Sequence, residues 1–150
     1  MTDLECAMAH LPGHTLALCK NGAVQTSDLR GVAPMVGFLR EGRDLSGFSA
    51  ADRVVGKAAA MLMIRAGIRC VFAETISQSA RAVLAAHGVA VQYAAATDRI
   101  LNRDRTGPCP MESAVADTDD VETGVARILQ KLDEMSASKR VPIPRAGAAN

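Results

Sequence analysis

The sequence predicts an α/β fold, and three observations carry that prediction. From residue 50 onward, helical and strand-like segments alternate. Before them, two short β-type segments flank an Asn-Gly pair. The chain has 150 residues, 49% of them hydrophobic, which suffices for one core without disulfide or metal staples. Strands joined through helices form right-handed parallel crossovers, so the alternation implies a parallel arrangement in that part of the sheet.

Asp3 to His10 reads as a short helix, followed by Pro12-Gly13. His14 to Lys20 reads as a strand. Asn21-Gly22 accepts the positive φ angles of a type I′ turn, so Ala23 to Thr26 becomes its hairpin partner. A helical segment follows from about Pro34 to Arg40, with Pro34 in its first turn and Gly42 as its stop. Ser49 has the character of an N-cap, and Asp52 lies three residues on, where an acid favours the positive end of a helix dipole. The longest and most apolar helix is therefore expected from Ala50 to Ala66, ended by Gly67.

Arg69 to Thr75 holds a nearly continuous apolar run, as a strand buried on both faces does. Ser77 caps a helix that ends near His87, Gly88 stops it, and Val89 to Tyr93 forms the last strand. Thr97 to Glu112 reads as a polar loop with one helical turn around Asp98 to Leu101. Val121 to Met135 is amphipathic, with Val125, Ile128, Leu129 and Leu132 on one face. Residues 1–135 thus form one domain, and 136–150, with two prolines and no periodicity, read as a loosely held tail.

Charge and composition exclude several classes of function. Seventeen basic residues against 16 acidic ones leave a net charge of +1, and there are only three Phe and one Tyr. Such a surface neither neutralises phosphates nor stacks bases, so no nucleic-acid partner is expected. The amino terminus carries acids where a signal peptide needs positive charge, and the longest apolar run, Ala58 to Ile64, falls far short of the roughly 20 residues that span a bilayer. The expectation is a cytoplasmic protein with no membrane association. Cys6, Cys19, Cys70 and Cys109 form no C-x-x-C pair, and His10, His14 and His87 are scattered, so no metal site is expected.

Candidate functional residues fall in three places. On a helix starting at Ala50, Asp52, Arg53, Gly56, Lys57 and Ala60 share one polar or small arc near the amino end, where free amides and a positive field suit phosphate or carboxylate. A mid-helix glycine costs about 1 kcal/mol relative to alanine and marks a close approach by backbone or ligand. The alternative is a helix edge that simply reaches solvent. Glu74 and Ser77 lie at the carboxyl end of a strand, where ligands gather in parallel sheets, although such an acid also serves as a helix cap. The segment Asn102 to Glu112 concentrates Asn102, Arg103, Arg105 and Cys109 between turn formers. Cys109 is either a thiol nucleophile activated by those cations or a buried structural thiol, and no general base stands at a recognisable spacing.

Four segments, Ala51 to Ala60, Val71 to Ser77, Asn102 to Gly107 and Cys109 to Glu112, resemble a family of small prokaryotic proteins known as domain of unknown function 1893, whose fold is cytidine-deaminase-like. The resemblance implies a three-layer α/β/α sandwich with a mixed sheet. It places Asp52, Gly56 and Lys57 opposite Glu74 and Ser77 across the deaminase pocket. Lys57 and Ala59 stand where a metal-binding residue and a proton-shuttling glutamate would be required, so zinc-dependent deamination is not expected. The expected function is metal-free and cofactor-free binding of a small anionic ligand, a nucleotide or related phosphorylated molecule, by Asp52, Gly56, Lys57, Glu74, Ser77, Asn102, Arg103 and Cys109. The alternatives are a non-catalytic module that forms homo-oligomers, and an enzyme using Cys109 or Lys57 covalently.

Overall fold

Residues 1–101, 107 and 109–140 are described by a computed structural model; Asn102, Arg103 and Arg105 lie outside them, as do 141–150. The elements run α1 (Asp3–His10), β1 (Leu16–Lys20), β2 (Ala23–Ser27), α2 (Ala33–Arg40), β3 (Ser49–Val55), α3 (Lys57–Ala66), β4 (Cys70–Ser77), α4 (Gln78–Ala86), β5 (Ala90–Thr97), α5 (Pro110–Val115) and α6 (Val121–Arg140). The hairpin forms as expected: Asn21 and Gly22 both have positive φ, 49° and 85°, and β1 pairs antiparallel with β2.

The expected helix from Ala50 is the main correction. Ser49 to Val55 is a strand, and the helix begins only at Lys57. Alanines in this segment mimic helical propensity, but β3 pairs antiparallel with β1 on one edge and parallel with β4 on the other. Two ladders outweigh an intrinsic preference of a few tenths of a kcal/mol per residue. Ala50 and Ala51 are fully buried, and small side chains there let helices approach both faces of the sheet. Ser49 is accordingly a buried strand residue and caps nothing. The arc from Asp52 to Ala60 therefore divides between a strand and a helix.

The sheet order is β2-β1-β3-β4-β5, mixed in sense. On one face, Ala7 and Leu11 of α1 and its flank pack on Ala17, Cys19 and Ala51. On the other, Leu16, Leu18, Ala50, Val71 and Ala73 meet the remaining helices in the larger core. The result is a three-layer α/β/α sandwich. Helix α3 is its hub, in contact with α2, α4, α5 and α6, and Met61, Leu62 and Met63 are wholly buried. Gly67 ends α3 in the left-handed conformation, φ 84°.

Two smaller corrections concern the carboxyl-terminal third. No helical turn forms at Asp98 to Leu101, whereas Pro110 to Val115 is helical, with Pro110 in its first turn. Helix α6 continues to Arg140, so the first five residues of the expected tail belong to it. No helix among the described residues is long and apolar enough to cross a membrane.

Candidate functional site

Strands β3, β4 and β5 are mutually parallel, so their carboxyl ends reach the same edge of the sheet. Ligand sites of open α/β sheets form at that edge. A cavity of about 330 Å³ lies there, lined by Lys57 after β3, Ser79 after β4, Arg99 and Ile100 after β5, and Glu112, Ser113 and Ala116 of α5 and its end. Two bonds tie its margins together: the Gln78 amide donates to Asp98 (3.2 Å), and the Cys109 N–H donates to the Ile100 carbonyl (3.2 Å).

The start of α3 explains Gly56. A helix leaves its first N–H groups without intrahelical partners. Here the Glu112 carboxylate accepts from the amides of Lys57 and Ala58, one to each oxygen, both at 2.8 Å. A Cβ on Gly56 would stand 2.5 Å from the Glu112 carboxyl carbon. The glycine is required by space rather than by its backbone angle, since its φ of −97° suits any residue. The close approach that the glycine marks is thus made by neither backbone nor ligand but by a side chain of the same chain, Glu112.

Lys57 is the charged group most deeply placed in the cavity wall. It is 8% exposed, and its ammonium pairs at 2.9 Å with Asp119, whose side chain is 92% exposed. A desolvated cation whose ion pair among the described residues is with a solvated acid is a group that an incoming anion can re-partner. Ser77 is fully buried. Its hydroxyl caps α4 by accepting from the Ala80 N–H (3.2 Å) and lies 3.2 Å from the Ser79 hydroxyl, which lines the cavity.

Other expected residues do not join this cavity. Asp52 precedes the helix by five positions and lines a separate cavity. Glu74 is exposed and ion-paired with Arg53, whose guanidinium also donates to the carbonyls of Leu11 (3.0 Å) and His14 (3.1 Å) beside α1. The helical periodicity that joined Asp52 to Lys57 fails because strand side chains alternate between faces. Cys109 precedes α5, half-buried and packed against the core. Asn102 and Arg103 lie outside the described residues.

The reading of the sequence missed Ser79, Arg99, Ser113, Glu112 and Asp119 as site residues. Ser79 carried a local signal, being two residues past the Ser77 cap. Glu112 carried none, because its role depends on a partner 55 positions away in the chain.

Among the described residues no group of three or more His, Cys, Asp or Glu side chains is arranged to hold a metal. The cavity presents an ammonium, a guanidinium, hydroxyls and a carboxylate whose oxygens are both engaged by amides. That donor set does not fit zinc, which takes thiolate, imidazole or free carboxylate ligands.

These features define a three-layer α/β protein with a polar cavity at the carboxyl edge of its parallel strands. The chain belongs to the domain of unknown function family DUF1893, whose profile matches residues 8–132. It is similar to the crystal structure of a DUF1893 family protein from Thermotoga maritima, with a TM-score of 0.79 and 25% identity, covering 87% of this chain and 91% of that one. The dCMP deaminase of cyanophage S-TIM5 has a TM-score of 0.43 at 14% identity, over 60% of this chain and 92% of that one. A diaminohydroxyphosphoribosylaminopyrimidine deaminase/5-amino-6-(5-phosphoribosylamino)uracil reductase of Thermotoga maritima has a TM-score of 0.41 at 16% identity, over 60% of this chain and 34% of that one. No curated protein matches the sequence.

Proposed function

We propose that the cavity at Lys57 binds a small phosphorylated molecule of nucleotide type without a metal. The observation that carries this reading is the buried Lys57 ammonium, which lines a polar cavity at the carboxyl edge and is countered by the solvated Asp119. A ligand phosphate takes the ammonium from Asp119, and Arg99 supplies a second cation. Ser79 and Ser113 offer hydroxyls to the sugar or phosphate oxygens. Glu112 already occupies the helix amides, so side chains rather than the α3 backbone meet the anion. About 330 Å³ is near the lower end of ligand pockets, roughly 300–1,000 Å³, and favours a mononucleotide over a dinucleotide.

Thermal unfolding in the presence of AMP, GMP, CMP, ATP and ADP-ribose tests this. A ligand at 100 times its Kd stabilises the fold by about 2.7 kcal/mol, and Lys57→Met removes that gain. Absence of stabilisation by every one of these compounds at millimolar concentration overturns the reading.

A second reading, self-association, is favoured by β5. This edge strand, Ala-Val-Gln-Tyr-Ala-Ala-Ala-Thr, is exposed along most of its length and bears no charge, whereas edge strands usually carry devices against pairing. Sedimentation equilibrium decides it: a dimer that Ala95→Lys dissociates supports pairing through β5, and a monomer at every concentration excludes it.

A further inference from the structure

A second cavity, of about 180 Å³, shares no lining residue with the first. Thr15, Leu29, Arg30, Gly31, Pro34, Asp52, Arg53 and Val54 form its wall. Thr15 shapes it by donating its hydroxyl to the carbonyls of Ser27 (2.8 Å) and Leu29 (2.5 Å), which fixes the segment leading to Arg30.

The chemistry of the wall is unequal. Leu29, Pro34 and Val54 are apolar. The Asp52 carboxylate accepts from the backbone N–H of Arg53 (2.7 Å), yet among the described residues no ion pair involves it. The adjacent guanidinium of Arg53 is committed to Leu11, His14 and Glu74. Arg30 is an exposed cation, with no ion pair among the described residues. The cavity wall thus carries an acid and a guanidinium, neither ion-paired among the described residues, together with aliphatic side chains.

We infer that this cavity binds a small zwitterion of the free α-amino acid class with a short aliphatic side chain: the ammonium meets Asp52, the carboxylate meets Arg30, and the side chain packs on Leu29, Pro34 and Val54. Size agrees. Liquid water takes about 30 Å³ per molecule, so the space holds roughly six to ten heavy atoms, as in valine or leucine. Charge agrees as well. Burial, opposed by the Arg53 and Val54 amides and the Arg53 charge and assisted by Glu74, pushes the Asp52 carboxyl up to about 7. An ammonium adds to the partial counter-charge of Arg53, so binding favours the carboxylate and releases a proton wherever Asp52 was still protonated.

Calorimetry and amide chemical-shift mapping with L-leucine, L-valine, isobutylamine and isovalerate test the assignment. The expected result is binding of leucine or valine with shifts confined to residues 29–34 and 52–54. Asp52→Asn should weaken it by roughly tenfold or more, as loss of one partner of a desolvated charge pair does. Arg30→Ala, at an exposed position that leaves the fold intact, should bring leucine down to the affinity of isobutylamine. Lys57→Met should leave all of this unchanged, which separates this cavity from the first. Absence of heat and of shifts with every compound, or undiminished leucine binding by Asp52→Asn, or isovalerate binding as tightly as leucine, overturns the inference.

Discussion

Two strand-to-helix junctions stand on the same edge of the sheet, Val55-Gly56-Lys57 between β3 and α3, and Ser77-Gln78 between β4 and α4. Each must satisfy the free amides of a new helix. At the second, Ser77 does so locally, with its hydroxyl accepting from the Ala80 N–H three residues on. At the first, the cap position is a glycine without a side chain, and the acceptor arrives from α5 as Glu112. A helix start can thus be sealed by tertiary structure as well as by its own cap. Only the remote kind couples the start of α3 to the placement of α5 and of the cavity between them.

That contrast predicts a graded set of effects. The largest is Gly56→Ala, because a Cβ there, 2.5 Å from the Glu112 carboxyl carbon, pushes that carboxylate off both α3 amides. Chemical denaturation should show a loss of about 3 kcal/mol, the uncapped amides plus the strain of the displaced side chain. Glu112→Ala removes both acceptors and should cost about 2 kcal/mol, and the double variant should lose clearly less than the sum. Full additivity would mean that the two groups do not meet.

The strand entering the first junction supplies a third perturbation. The unfolded chain releases the Asp52 proton at about pH 4, whereas the folded chain retains it up to about 7. The native state therefore binds the extra proton between those values. Stability falls as pH rises through that interval and is level above it. Asp52→Asn should flatten this slope and be the more stable of the two chains above neutral pH. A slope unchanged by the substitution would place the titrating group elsewhere.

Ser77→Ala tests the local cap. Its cost should be about 1 kcal/mol in denaturant unfolding, confined to α4 in hydrogen exchange, with α5 untouched. Spread of the exchange effect into α5 would erase the distinction between the two junctions. The smallest effect on stability belongs to Asp119→Asn, about 0.5 kcal/mol or less given the exposure of that acid. The same variant should tighten binding of phosphorylated ligands, because it removes the competitor for Lys57.

How far the candidate site was legible follows the same division. Ser77 was recognisable as a cap, and Lys57 as a cation close to a helix start. Gly56 signalled a close approach without revealing what approaches. Asp52 was grouped with Lys57 because a helical period was applied to residues that form a strand, which turns alternate side chains to opposite faces. Glu74 does lie near the carboxyl end of its strand, but pairs with Arg53 rather than lining the cavity.

By itself the sequence determined the α/β class, the Asn21-Gly22 hairpin, the strand at Cys70, the left-handed cap at Gly67 and the absence of any C-x-x-C pair. These features rest on interactions within a few residues, which local chemistry dictates. Tertiary structure alone decided that Ser49 to Val55 is a strand, that Glu112 seals α3 and that Asp119 holds Lys57. Each depends on partners far apart in the chain: two neighbouring strands outweigh a weak helical preference, and a carboxylate is drawn to unpaired amides only once the fold has brought them together.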